Sequence, residues 1–295
     1  MTADRKARTL SGHAKAPALN ASAGGFADLG PRVASAVAMV VAALGTLYLG
    51  GDAFALFWLA AAFAVSWEWQ NLIGGEGRAA RIAVGGAAVA AATAFGRVAM
   101  PGAAALAIAL LALAGGALAG AERRVWAATG VVYAGAPAFA VCLLRESPDV
   151  GALAVAFLFA IVWGTDIFAY FGGRLISGPK LWPRVSAGKT WSGTITGVVS
   201  GALLGLGAAY LGGGPQLASW PVFMLGLAAA AFSQIGDLFE SSVKRRFGVK
   251  DSSRLIPGHG GVMDRLDGFI FACVFAATVG LLRGGPSVAA GLFFW

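Results

Sequence analysis

Long apolar runs broken by short polar punctuation make up most of this chain. They fall at approximately 33–50, 53–71, 82–98, 101–120, 125–144, 150–173, 192–212, 218–239 and 268–283. Each is roughly 16–24 residues long, and about 20 apolar residues suffice for a helix to cross a hydrocarbon core. The pattern predicts an all-α polytopic integral membrane protein with about nine transmembrane helices. Met100-Pro101 separates the third run from the fourth. The polar intervals divide the chain further. Residues 1–31 form a basic tail carrying Arg5, Lys6, Arg8 and Lys15. It lacks a short apolar core followed by a small-residue cleavage site, so it reads as a disordered cytoplasmic tail rather than a signal peptide. Residues 32–149 hold the N-terminal transmembrane helices. Residues 150–283 form a second transmembrane region, the only one with long polar loops, at 174–191 and 240–267. Residues 284–295 are apolar but too short to span.

Composition agrees with the pattern. Hydrophobic residues make up 58% of the 295, and the mean hydropathy is +0.75, beyond the usual range of a soluble domain. Cys142 and Cys273 lie in apolar runs and read as small hydrophobes. The two histidines, His13 and His259, do not make a His/Cys zinc site.

Charge gives the topology. With a cytoplasmic N-terminus and nine crossings, every Lys and Arg except Arg97, Arg145 and Arg283 falls on the cytoplasmic side, as the positive-inside rule requires. Both long loops are then cytoplasmic and basic. The net charge of +8 faces anionic lipid headgroups and does not call for nucleic acid. The implied location is multi-pass in the cell inner membrane.

Three acidic residues lie inside or at the ends of the runs. Glu68 sits between Trp67 and Trp69, and reads equally as an interfacial anchor or as a functional group. Asp166 lies in Trp163-Gly-Thr-Asp166, and Asp237 in Gln234-Ile-Gly-Asp237-Leu-Phe-Glu240. An ionisable group at such depth is costly, which makes both functional candidates against a bland reading as helix-packing contacts.

The richest segment is 242–267. It gathers Lys244, Arg245, Arg246, Lys250, Arg254 and Arg265 with Asp251, Asp264 and Asp267 in a chain only 12% charged. Cations suit phosphates, and carboxylates suit a hard divalent metal. Asp264 and Asp267 are three apart and share a helix face. Asp237 closes one run just before Asp264 opens toward the next, so two span ends present carboxylates across the loop. The glycines of Pro257-Gly-His259-Gly-Gly261 let backbone approach a ligand. In the other loop, Gly188-Lys189-Thr190 has the look of a Walker A ending, but Pro183 stands where that motif needs glycine. Lys189 remains a phosphate candidate. Gly193, Gly197, Gly201 and Gly205 form a four-residue stripe for close helix contact, within the chain or in a homodimer.

These segments resemble the phosphatidate cytidylyltransferases (CDP-diacylglycerol synthases). The resemblance rests on Ser242-x-Lys244-Arg245, Lys250-Asp251, Pro257-x-His259-Gly260-Gly261 and Asp264-Arg265-x-Asp267. Gly236-Asp237-Leu-Phe-Glu240-Ser241, Asp166-x-x-Ala169-Tyr170 and Ser186-x-x-Lys189-Thr190-Trp191 also match. The likeness is strong over the C-terminal half and confined to Glu68-Trp69 before residue 150. Ala187 and Ser192 depart from the proline and glutamate often found there. The resemblance implies transfer of a cytidylyl group from CTP to phosphatidic acid, giving CDP-diacylglycerol and pyrophosphate. It implies Mg²⁺ on Asp237 and Asp264, with room for a second metal ion. Lys244, Arg245, Lys250 and Arg265 are candidates for the phosphates, with Lys189 after them. Asp166 and Asp267 belong to the same polar site. His259 either donates to a phosphate oxygen or shapes the loop. Other readings of the residues are a different lipid substrate, a CTP-dependent lipid kinase, or a transporter using its intramembrane carboxylates.

Overall fold

The computed structural model describes residues 29–295. The tail expected at 1–31 lies outside the described residues, apart from its last three, which already belong to the first helix. Among the described residues, nine helices of 17 to 27 residues follow one another. They are α1 (Leu29–Leu49), α2 (Gly51–Ile73), α3 (Arg78–Arg97), α4 (Pro101–Ala117), α5 (Arg124–Arg145), α6 (Gly151–Leu175), α7 (Trp191–Gly213), α8 (Trp220–Arg246) and α9 (Met263–Arg283). A short α10 (Ala290–Phe293) ends the chain.

Seven of the nine are long and apolar enough to cross a membrane. The exceptions mark where the expectation of nine spans and the structure differ. Helix α4 has only 17 residues. Helix α2 begins with Asp52 and ends in Trp67-Glu68-Trp69-Gln70-Asn71, which dilutes its apolar content. The chain is overwhelmingly helical, as expected, and carries one small sheet. Within the 174–191 loop, β1 (Lys180–Trp182) pairs antiparallel with β2 (Ser186–Thr190), Lys180 facing Thr190 and Trp182 facing Ser186.

Helix ends differ from the apolar runs in one informative place. The run at 218–239 continues as helix to Arg246, and the run at 268–283 is helical from Met263. Helical hydrogen bonding tolerates charged side chains that end an apolar run. So Lys244 and Arg245 sit on α8, and Asp264, Arg265 and Asp267 on α9. The irregular part of the expected loop shrinks to 247–262.

Successive helices alternate in direction, as contacts between their ends show. Arg97 at the end of α3 meets Asp52 at the start of α2, at 2.5 Å, and Glu146 just past α5, at 3.3 Å. Ser147 accepts from the amide of Ala289, 3.2 Å away, so α10 lies at that same end. Helix α5 is central, with 72% of its span inside the protein, and α1 is peripheral, with 11%. One core joins both halves of the chain: Phe54 and Trp58 of α2 cluster with Phe157 and Phe159 of α6 and Phe269 of α9. The C-terminal segment seals it with Leu292 and Phe293, both fully buried. Cys142 and Cys273 are free thiols in that core.

The glycine stripe of α7 faces α6 of the same chain and is thereby taken up internally. A Cβ on Gly197 would lie 2.6 Å from the carbonyl oxygen of Thr165, and one on Gly205 2.6 Å from Ile161 Cγ1. The bare backbones let the two helices touch directly. This contact leaves the stripe no surface for a homodimer.

Candidate active site

At the end of the bundle opposite Arg97, a cleft of about 700 Å³ opens between two walls. One wall is α6 with the β-hairpin and the start of α7. The other is α8 with the start of α9.

Local sequence sets each wall. Thr190 caps α7: its hydroxyl accepts the amide of Gly193 at 3.1 Å, satisfying a first-turn donor. That cap stops β2 and turns Lys189 into the cleft. There its ammonium meets Asp237 Oδ2 at 2.6 Å and Gln234 Oε1 at 2.8 Å, bridging the two walls. Asp166, Tyr170 and Arg174 line the cleft from successive turns of α6, and Lys180 from β1. On the opposite wall, Lys244 lies 2.6 Å from Glu240, one turn earlier on α8, and 2.7 Å from Asp264 on α9. The Glu240 side chain is fully buried, and those of Asp264 and Lys244 are 6% and 14% exposed. Removing one partner from a buried pair of this kind costs several kcal/mol, about 3–5.

Asp264 also anchors the 247–262 segment. Its Oδ2 accepts the amide of Gly261 at 2.8 Å, and the amide and hydroxyl of Ser252 at 3.0 Å each. Asp267, one helical turn on, lines the cleft, and its Oδ1 accepts the amide of Gly268 at 2.8 Å. Arg265 lines it too, its Nε donating to the carbonyl of His259 at 3.0 Å.

The structure therefore brings together Asp166, Lys189, Asp237, Lys244, Asp264, Arg265 and Asp267 of the predicted residues. It leaves three outside the walls. Arg245 is exposed, its guanidinium 3.5 Å from the carbonyl of Val249. Lys250 is exposed beyond the cleft. His259 turns away: its Nδ1 lies 2.8 Å from the hydroxyl of Ser35 on α1. Ser35 also donates to the Pro257 carbonyl at 3.1 Å, so this histidine shapes the loop. The cleft also takes in polar side chains outside the expected set, among them Tyr170, Arg174, Lys180, Gln234 and Asp251. A signal existed for Arg174 and Lys180, since both lie in the basic loop region.

Glu68 is neither an interfacial anchor nor a cleft-lining group. It is fully buried and receives four hydrogen bonds. They come from the hydroxyls of Ser252 at 3.1 Å and Ser253 at 2.6 Å, and from the amides of Val262 at 2.8 Å and Met263 at 2.7 Å.

The donor set of the cleft consists of hard carboxylate oxygens, which suits Mg²⁺. Among the described residues no three acidic, His or Cys side chains form a ready-made cage. That is the usual situation for Mg²⁺, which takes one or two protein carboxylates and fills its shell with water and substrate phosphate. Each carboxylate of the expected pair is held by a lysine, Asp237 by Lys189 and Asp264 by Lys244. A cation already occupies the electrostatic place a metal would take. Cations and hard oxygens together suit a polyphosphate.

Comparison with known sequences agrees with this chemistry. The model of the cytidylyltransferase family matches residues 30–282. A phosphatidate cytidylyltransferase of Brucella abortus is 39% identical over 287 residues, covering 91% of this chain and 99% of the relative. One from Staphylococcus saprophyticus is 41% identical over 128 residues, 43% of this chain and 49% of that protein.

Proposed function

We propose that this chain, which belongs to the cytidylyltransferase family, transfers the cytidylyl group of CTP to phosphatidic acid in phospholipid biosynthesis. A phosphate oxygen of phosphatidic acid attacks the α-phosphorus of CTP. The new P–O bond forms as the bond to the β-phosphate oxygen breaks, and the products are CDP-diacylglycerol and pyrophosphate. The observation that carries the reading is the cleft in which Asp166, Asp237, Asp264 and Asp267 share walls with Lys180, Lys189, Lys244, Arg174 and Arg265.

The attacking oxygen is already anionic at neutral pH, so the reaction needs no proton removed from it. The obstacle is the approach of two anions and the charge that builds on pyrophosphate. Fixed cations answer both. Lys189 and Lys244 hold their ammonium groups in place against carboxylates before substrate arrives. Arg265, steadied by the His259 carbonyl, presents its remaining N–H groups to a phosphate. Arg174 and Lys180 line the same cavity from α6 and β1. Asp237 and Asp264 are the residues that would hold Mg²⁺, which supplies neutralisation of the triphosphate. With Mg²⁺ held by Asp237 and Asp264, Lys189 and Lys244 would turn their ammonium groups from those carboxylates to phosphate oxygens.

The finer topology belongs to the same reading. All nine long helices cross the membrane, with the cleft, the hairpin and the N-terminus on the cytoplasmic side of the inner membrane. The exposed Arg184 of the hairpin and Lys250 then face anionic headgroups. The test is direct. Purified protein in phosphatidic-acid vesicles should form CDP-diacylglycerol and release pyrophosphate when given CTP and Mg²⁺, and do neither without the metal. A protein that turns over CTP only with another lipid, or not at all, refutes the assignment. A reporter active only in the cytoplasm, fused after Trp295, should be silent; strong signal would overturn the topology.

A further inference from the structure

We infer that Glu68 is a positioning residue for this reaction: a buried post that fixes the start of α9 and, through Ser252, the rotamer of Asp264. The inference rests on the cytidylyltransferase reading above. The first amides of a helix lack intrahelical partners. Helix α9 has no side-chain cap of its own, because its N-cap residue is Val262. Glu68 caps it from α2, nearly two hundred residues earlier in sequence, by accepting the amides of Val262 and Met263 at 2.8 and 2.7 Å. The next residue is Asp264. One turn of helix fixed in this way sets the direction of Asp264, Arg265 and Asp267 together.

Ser252 makes the link finer. Its hydroxyl lies 3.1 Å from Glu68 Oε2 and 3.0 Å from Asp264 Oδ2. A hydroxyl has one proton, so the two carboxylates share a single donor. The orientation of Asp264 is thus tied to where Glu68 stands. The post itself is rigid. The next residues of α2 are fastened to α5 by Trp69 Nε1 to the Trp126 carbonyl at 2.8 Å and Gln70 Nε2 to the Ala127 carbonyl at 3.1 Å. The segment closes tightly on it: a Cβ on Gly261 would collide with Ser252 Oγ and lie 2.6 Å from Glu68 Oε1.

A cap that only stabilises would cost melting temperature and leave the folded molecules equally active. A post that positions would change turnover per folded molecule. Glu68→Gln keeps the shape but points an amide at backbone N–H groups, and Glu68→Asp keeps the charge but shortens the reach. We expect kcat per folded protein to fall about 100-fold in Glu68→Gln, the scale of a misplaced catalytic group. In Glu68→Asp we expect folding to be kept and kcat to fall about 10-fold, with KM for phosphatidic acid unchanged in both. Trypsin cleavage after Arg254, an exposed residue of the same segment, should accelerate at least about tenfold in Glu68→Gln if the post is lost, a readout independent of activity. Should Glu68→Gln fail to fold, Glu68→Asp and Ser253→Ala carry the test, the latter removing one of the four donors. Either a kcat within threefold of the parent in folded Glu68→Gln, or full kcat in Glu68→Asp, overturns the inference. If the parent protein makes no CDP-diacylglycerol, the proposed function fails, while the cleavage rates still decide whether Glu68 holds the segment.

Discussion

The two ends of the helix bundle treat their charges in opposite ways. At the end away from the cleft, three arginines are each consumed by partners within the chain. Arg97 meets Asp52 and Glu146. Arg145 donates to the Leu47 carbonyl at 3.0 and 3.2 Å and lies over the ring of Phe54. Arg283 donates to the carbonyls of Gly291 and Phe294 and lies over the ring of Trp295. These arginines tie helix ends together. At the cleft end, Lys189 and Lys244 also have partners, but one carboxylate partner of each, Asp237 and Asp264, lines the cavity. Pairs that face a cavity stand where a bound anion can compete for the ammonium. At one end charge is closed off by backbone and rings, and at the other it is paired with carboxylates that line an open cavity.

The largest effect should come from Asp237→Asn. Its carboxylate is 30% exposed and braced by Lys189 and by the Ser241 hydroxyl at 3.3 Å, so the amide should leave the fold intact and lower kcat by about a thousandfold or more. Asp264→Asn should lose comparable activity and also melt measurably earlier, because it breaks a buried pair with Lys244. Equal melting temperatures for the two variants would erase the distinction between a cleft group and an anchor.

Lys189→Ala and Arg265→Ala come next. Each should lower kcat/KM about 10- to 150-fold, the worth of one charge-assisted hydrogen bond. Lys250→Ala, outside the walls, should cost no more than about threefold on the same scale. Steady-state kinetics of the three decide whether the cavity or the whole basic segment is the site.

Gly201→Leu tests the other wall. A side chain at that position would run into Thr165 of α6, and overpacking should cost about 1–3 kcal/mol of stability. Activity should fall with it, because Asp166 follows Thr165 directly. The smallest effect belongs to the far end. Arg97→Ala should leave kcat/KM within about twofold, since exposed ion pairs contribute little. A loss as large as that of Lys189→Ala would break the contrast between the two ends.

Much of this was legible in the sequence. The apolar runs predict the helices, and the clustering of charge between 237 and 267 points to the residues that converge on the cleft. What was hidden had physical reasons. Hydropathy ends a run at the first cluster of charge, so the helical placement of Lys244 and Arg245 was not visible, whereas the three-residue spacing of Asp264 and Asp267 already pointed to a helix face. The strands β1 and β2, three and five residues long, are too short for an alternation to mark them. The glycine stripe announces a close neighbour but not which one. Glu68 was visible as a buried acid between tryptophans. Its partners, Ser252 and Ser253, lie 184 and 185 residues away, and no local pattern connects them. His259 stood in a motif that suggested a ligand contact, yet its imidazole is turned to Ser35 on the peripheral helix.

The bare contact between α6 and α7 has a mechanical consequence. With glycine on α7 at 193, 197, 201 and 205, the α6 backbone and short side chains such as Thr165 and Ala169 pack straight onto the α7 backbone, which leaves little between the helices to compress or rotate. The pair behaves as one board, with Asp166 on its edge and the hairpin bracing its end. The width of the cavity is then set by the angle of that board against the α8–α9 wall, and Lys189 reaching Asp237 is a strut across the gap.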